Sequence, residues 1–251
     1  MRFPMARTDF TTPRLCVEPA LAEGARLPLE AEAANYLLNV LRLAPGARVL
    51  CFNGRDGEWA ARLEGERTKR AALIVESRTR AQEFPPDVEY LFAPLKHARL
   101  DYMAQKAVEM GARRLAPVLT RRTNVGRVNV ERLAANAREA CEQCGVIWLP
   151  EVAEPQPLEA ELGRLPPDRL LVFCDEDAPL ASPLEALAAA PDGRGVSLLI
   201  GPEGGFDEAE RRLILTRPLV LRLNLGPRIL RADTAAVAAL ALIQARFGDW
   251  R

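Results

Sequence analysis

Two glycine-proline loops near the C-terminus carry the most specific chemistry in this chain. The first reads LLIGPEGGF, residues 198–206, and the second reads LNLGPRILRADTAA, residues 223–236. Each follows an apolar run and opens into a helical pattern. Gly201, Gly204, Gly205 and Gly226 have no side chains, so main-chain N–H and C=O groups there can come close to a ligand. Two such loops side by side could grip a polar, partly flat cofactor. No Lys-Ser/Thr follows the first set of glycines and no G-x-G-x-x-G is present, so neither phosphate-binding fingerprint applies. Glu203, beside Pro202, is a poor neighbour for phosphate, and the expected ligand has none. Asp207 and Glu210 have the spacing of a helix capping box. In the second loop Arg228 and Arg231 flank Ile229 and Leu230, which could form a flat, dry slot beside cationic groups. Asp233 and Thr234 stand where they would cap the last helix. A plainer reading stays open at this level: glycine-rich βα turns, with Ile229 and Leu230 in the core and the arginines solvated.

The elements that must position these loops follow from periodicity. Strands are predicted at 15–17, 48–52, 58–63 and 71–77, with turn signals at Asn53-Gly54 and Asp56-Gly57 and one helix over 33–43. A small barrel fits this pattern. Residues 78–87 are polar, end in Pro85-Pro86 and read as a linker. Beyond it strands (88–95, 115–119, 170–174, 196–200, 219–223) alternate with helices (99–110, 130–144, 208–215, 234–247). That order predicts an α/β domain with a mainly parallel sheet, and ligands of such sheets bind beyond the carboxyl ends of the strands. The expected domains are 1–80 and 81–251.

Composition sets bounds. The 251 residues carry 34 basic and 34 acidic side chains, so no global field draws the chain to nucleic acid. Only Lys69, Lys96 and Lys106 are lysines. Arginine is the better fork for phosphate and stacks on bases, although a GC-rich coding sequence would give the same bias. The N-terminus has no signal-peptide apolar core, and no segment approaches the roughly 18 apolar residues of a membrane span. Five scattered cysteines suggest reduced thiols and a cytoplasmic protein. Cys141 and Cys144 lie one helical turn apart without a second pair or a nearby histidine, so they read as small buried residues and no metal site is expected. His97 is the single histidine and reads as a surface or linker residue.

The two loops, about twenty residues apart, resemble the signature of the RsmE family of ribosomal RNA methyltransferases. The similarity extends upstream to QKAVEMGA (105–112), to EACEQCG (139–145) with Pro150-Glu151, and to NVLRLAPGARVLCFNG (39–54). The chain departs from the family pattern at Tyr36, Asn39 and 146–148, where RNA contacts would be affected. It departs also at Asp233, where a glutamate is common.

The resemblance implies a PUA-like N-terminal barrel and a C-terminal SPOUT domain with a deep trefoil knot, a connection that general chain-threading rules would argue against. It implies a homodimer that binds S-adenosyl-L-methionine and methylates N3 of a single uridine in 16S rRNA, position 1498 in the usual numbering. The implied cofactor residues are Phe173, Gly201, Pro202, Glu203, Gly204, Gly205, Leu225, Gly226, Ile229, Leu230, Arg231 and Thr234. Uridine N3 must lose a proton to become a good nucleophile. Asp233 is one candidate base and Glu203 another, while Arg228 and Arg231 could stabilise charge on the uracil oxygens. Arg2, Arg7, Arg14, Arg42, Arg121 and Arg122 are candidate RNA contacts. Two rival readings are a tRNA-directed SPOUT methyltransferase and a non-catalytic RNA-binding factor of ribosome assembly.

Overall fold

A computed structural model describes residues 9–96, 98–179, 182–191 and 195–250. Arg2, Arg7 and His97 therefore lie outside the described residues. The chain divides into two compact units. The first runs to Phe84 and also takes in Arg138–Leu149, a stretch that the sequence reading assigned to the second domain.

The first unit is built on five strands: β1 (Arg14–Cys16), β2 (Arg26–Pro28), β3 (Arg48–Phe52), β4 (Glu58–Glu64) and β5 (Ala72–Arg80). Their order is β1-β3-β4-β5-β2, antiparallel except for the β1–β3 pair. Alternate residues such as Leu27, Val49, Cys51, Ala61, Leu63, Leu73 and Val75 meet in one core. The expected turn forms: Asn53 Oδ1 accepts from the amides of Arg55 and Asp56, and Gly57 has φ +85°. A Cβ at Gly57 would stand 2.3 Å from the Arg80 carbonyl oxygen, so only glycine fits. Strand β5 runs three residues into the expected linker, because Arg78 and Arg80 pair with Trp59 and Glu58.

The helix expected at 33–43 is shorter. α1 (Ala31–Asn35) passes into a π-helical turn (Tyr36–Val40), then Arg42 takes φ +54°. The amide of Leu43 reaches back to the Leu37 carbonyl at 3.0 Å, the closure usually made by a C-terminal glycine.

Arg14 is a correction. It is 6% exposed, and its Nε donates to Glu58 Oε2 at 2.9 Å. Glu58 is itself buried and takes a further hydrogen bond from Thr79 at 2.8 Å. The guanidinium is needed to neutralise a buried carboxylate, so it cannot reach RNA. The 138–149 stretch joins this unit through Glu142, which accepts from the Cys16 amide at 2.8 Å, and through Gly145, whose carbonyl accepts from Arg80. Cys141 is fully buried with its thiol donating to the Trp148 carbonyl, as expected of a packing residue.

The second unit holds a parallel sheet in the order β12-β10-β11-β6-β7-β8, with β9 beside β7. In chain order the elements are β6 (Val88–Phe92), α2 (Ala98–Glu109), β7 (Arg114–Leu119), α3 (Val130–Cys144, which from Arg138 belongs to the first unit), β8 (Glu151–Val152), β9 (Gln156–Pro157), α4 (Leu158–Arg164) and β10 (Leu170–Cys174). They continue with α5 (Pro183–Ala189), β11 (Val196–Ile200), α6 (Glu208–Leu215), β12 (Val220–Leu223) and α7 (Ala232–Phe247). The central strands β6 and β11 are buried at every position, as parallel strands covered on both faces must be.

The amino ends of these strands share a buried ionic network. Glu89, 3% exposed, is paired with Arg164, lies 3.5 Å from Arg169 and accepts from Ser197. Arg114 bridges Glu151 at 2.9 Å and Glu161 at 2.5 Å. Burial alone would raise the Glu89 carboxyl, but the guanidiniums of Arg169, Arg164 and Arg114 outweigh it and hold it below its usual range. A depressed carboxyl contributes stability that is fully present above the ordinary glutamate range and is lost as pH falls through that range and below it. Glu89→Gln is expected to lower the unfolding free energy at neutral pH by about 3 kcal/mol, the cost of breaking a buried pair. Chemical denaturation of both proteins on going from neutral to acid pH should show that difference shrinking. An unchanged difference would remove the carboxylate's role.

Candidate cofactor site

Strand pairing brings the two glycine-proline loops together. β10 is hydrogen-bonded in parallel to β11 on one side and β12 on the other, with Phe173 opposite Leu199 and Cys174 opposite Leu223. Three adjacent strands thus end on one edge of the sheet. The residues that follow them, beginning at Asp175, Gly201 and Asn224, share the crevice where open α/β sheets hold ligands.

The first loop is clamped from several sides. A Cβ at Gly201 would meet the Phe206 ring at 2.6 Å, and Gly205 has φ +69°. The Phe206 ring packs edge-on against Phe173 with centroids 5.3 Å apart. Phe173 is 1% exposed, so its side chain supports the loop from beneath and only its main chain is left to face a ligand. Asp207 and Glu210 form the expected capping box at the start of α6. The Glu210 amide above all, with help from Arg121, holds the Asp207 carboxyl below its usual range. Arg121 pairs with Asp207 at 2.9 Å, Arg122 donates to the Gly204 carbonyl at 2.6 Å, and Arg99 pairs with Glu203. Arg121 and Arg122, the candidate RNA contacts of this domain, stand at this loop. Both are exposed, and both brace this loop.

The second loop is more open. Asn224 holds its start, donating to the Ala178 carbonyl at 3.0 Å and accepting from the Gly226 amide at 2.9 Å. Gly226 has φ +108°, which only glycine adopts readily, and nothing lies within 4 Å of where a Cβ would be. Leu225 and Leu230 are half-buried, while Ile229 is fully exposed and so is not a core residue. Arg228 and Arg231 are exposed and make no ion pair among the described residues. One detail is corrected: α7 begins at Ala232 with Arg231 at the N-cap and no side-chain cap. Asp233 and Thr234 lie inside the first turn, where Asp233 Oδ1 accepts from the Thr234 amide and its charge favours the helix dipole.

Asp175, the first residue after β10, lies on the same edge of the sheet. It is 2% exposed, and Arg211 of α6 and Arg222 of β12 converge on it at 2.8 Å and 2.6 Å. Arg222 Nη2 also donates to the Asp177 carbonyl at 2.7 Å, and Arg211 reaches the Asp177 carboxylate. One buried carboxylate thereby ties the segment after β10 to the elements behind both glycine loops. Arg211 and Arg222 were missed because nothing in the local sequence distinguishes them from solvated arginines.

An open glycine main chain beside uncovered apolar side chains suits a ligand with a flat heterocycle and polar substituents. The sequence profile described as "RNA methyltransferase domain" matches residues 82–244, and that described as "RNA methyltransferase PUA domain" matches 29–77. The chain belongs to this family of RNA methyltransferases. A ribosomal RNA small subunit methyltransferase E from Synechocystis is 31% identical over 240 residues, which cover 92% of this chain and 77% of that protein. The protein of that name from Bacillus subtilis is 27% identical, over 89% of this chain and 91% of its own. A crystal structure of ribosomal RNA small subunit methyltransferase E from Neisseria gonorrhoeae, bound to S-adenosyl methionine, superposes with a TM-score of 0.86. It is 27% identical and covers 96% of this chain and 100% of that one.

Asp175→Asn is expected to lower the unfolding free energy by about 3 kcal/mol, because two guanidiniums lose their buried anion. Urea denaturation measures this. A loss below about 1 kcal/mol, the ceiling typical of surface pairs, would mean the pairs are solvated.

Proposed function

We propose that this chain is an S-adenosyl-L-methionine-dependent methyltransferase acting on N3 of one uridine, position 1498 in the usual numbering, of 16S rRNA in the small ribosomal subunit. One observation carries the reading. The two glycine-proline loops sit on adjacent parallel strand ends in a chain that matches, over nearly its whole length, an rRNA methyltransferase holding that cofactor. The architecture belonging to this reading is a PUA-like domain over 1–80 and a SPOUT domain with a deep trefoil knot over 81–251. The strand order supports it, since the chain passes from β11 over β10 to β12 before α7 returns to pack on β11 and α2.

Main-chain groups of Gly201, Pro202, Glu203, Gly204, Gly205, Leu225 and Gly226 would hold the cofactor's polar parts, with Ile229, Leu230 and Thr234 beside its base. The cofactor supplies a methyl group on a cationic sulfur and needs a nucleophile in line with it. The protein's task is to orient uracil and remove the N3 proton. Glu203 is neutralised by Arg99, which leaves Asp233 the freer carboxylate to receive that proton. Arg228 and Arg231 would stabilise the charge that builds on the uracil oxygens. Arg42, exposed and held at φ +54°, stays an RNA contact in this reading, as do Arg2, Arg7, Arg121 and Arg122.

Homodimer formation is part of the same proposal. α7 carries charge only at Asp233 and Arg246, and Val237, Ala238, Ala241 and Leu242 form a half-exposed apolar stripe that a second copy would bury. Among the described residues no helix is long and apolar enough to cross a membrane. Cytoplasmic localisation is proposed with the ribosomal substrate.

Small subunits lacking the modification, incubated with the protein and S-adenosyl-L-methionine, should yield 3-methyluridine at one 16S site by mass spectrometry of the digested RNA. Cofactor binding without methyl transfer would point to another RNA, and failure to bind it would leave an RNA-binding factor. Asp233→Asn should lower kcat by about 10²–10⁴-fold, the range for a general base, with cofactor affinity by calorimetry unchanged. A wild-type kcat would exclude Asp233 as the base.

A further inference from the structure

A cleft of about 630 Å³ is lined by the segments 95–101 and 124–133, within the size range of small-molecule sites. It lies beyond the carboxyl end of β6, the strand next to β11, and the Ala93 amide there donates to the Ile200 carbonyl. Its two walls are tied to the glycine loop. Arg99, adjoining Leu100 on one wall, pairs with Glu203, and Arg122, two residues before Asn124 on the other, holds the Gly204 carbonyl.

The floor is apolar: Leu95 and Leu133 are buried, and Leu100 and Val125 are half-buried. The rim is polar and cationic. Lys96, Asn124 and Arg127 make no side-chain hydrogen bond or ion pair among the described residues. Asn129 Oδ1 accepts from the Arg132 amide, which leaves its side-chain NH₂ to donate. The one carboxylate, Asp101, is engaged by Arg132 at 2.5 Å and by Asn136 at 2.9 Å. With Arg132 and Asp101 paired to each other, Lys96 and Arg127 leave the rim net positive, which favours an anionic ligand. An apolar slot edged by amide donors suits a planar ring bearing carbonyl oxygens, and free cations beside it suit a phosphate.

We propose that this cleft receives an unstacked nucleotide of the RNA strand that flanks the methylated uridine, with its ring against Leu100 and Val125, its carbonyls toward Asn124 and Asn129, and its phosphate at Arg127 and Lys96. The inference rests on the methyltransferase reading. A base extruded from its RNA must find such a pocket, and the walls' ties to Glu203 and Gly204 link its occupancy to the loop that would carry the cofactor.

Gly126 lines the cleft, and a Cβ there would meet nothing within 4 Å, so Gly126→Trp adds a bulky group to the lining. The expected result is a loss of kcat/KM on unmodified subunits of about 100-fold or more, with an unchanged melting curve and unchanged S-adenosyl-L-methionine affinity by calorimetry. Arg127→Ala, which removes an exposed side chain with no ion pair among the described residues, should raise KM, leave kcat intact and flatten the salt dependence of KM. Normal turnover by a folded Gly126→Trp protein would overturn the proposal, as would loss of cofactor affinity, which would assign the cleft to the cofactor instead. If Gly126→Trp does not fold, an unchanged KM in Arg127→Ala overturns it. If the wild-type protein forms no 3-methyluridine, the methyltransferase reading itself falls, an outcome distinct from either variant result.

Discussion

The parallel pairing of β10 between β11 and β12 is the constraint on which the rest of the second unit depends. It makes β12 the neighbour of a strand that is not its sequential predecessor. Without that pairing the second glycine-proline loop would end up away from the first. The pairing is also defended electrostatically. Asp175 stands at the carboxyl end of the central strand of the three and is gripped by Arg222 from β12 and Arg211 from α6. In a low-dielectric setting such a carboxylate is costly unless both partners are present, so register and loop position are set together.

The two edges of the sheet divide the work. At the amino edge Glu89 of β6, Arg114 of β7, Glu161 of α4 and Arg169, just before β10, form a buried network, which suits a role in stability. At the carboxyl edge the charged groups are more exposed and act locally. Arg99, Arg121 and Arg122 hold carbonyls and carboxylates of the first glycine loop, while Arg228 and Arg231 make no ion pair among the described residues. An arginine-rich composition is thus spent in three ways: buried neutralisation, loop bracing and free surface charge. Arg14 belongs to the first kind, although its sequence position made it look like the third.

Much of the second unit was legible because its signals are local. Strands at 170–174 and 196–200 and the helices at 130–144 and 208–215 appear where the apolar runs and periodicity put them. The Asp207–Glu210 capping box also forms as its spacing implied. The short elements were not legible. β2, β8, β9, α4 and α5 span two to seven residues, too few for a period to show. The π-helical turn at 36–40 was read as an ordinary helix because its apolar spacing is nearly the same.

The sequence by itself determined the two loops, the alternation that predicts a parallel sheet, and a family likeness that reaches both units. Glycine, proline and capping residues act over a few positions, so their meaning survives without the fold. Only the tertiary structure decided which arginines are free. It buried Arg14 against Glu58, turned Arg211 and Arg222 onto Asp175, put Phe173 beneath the loop and left Ile229 in the open. A guanidinium's partner can lie anywhere along the chain. Its role is therefore set by packing between distant segments, which no local pattern records.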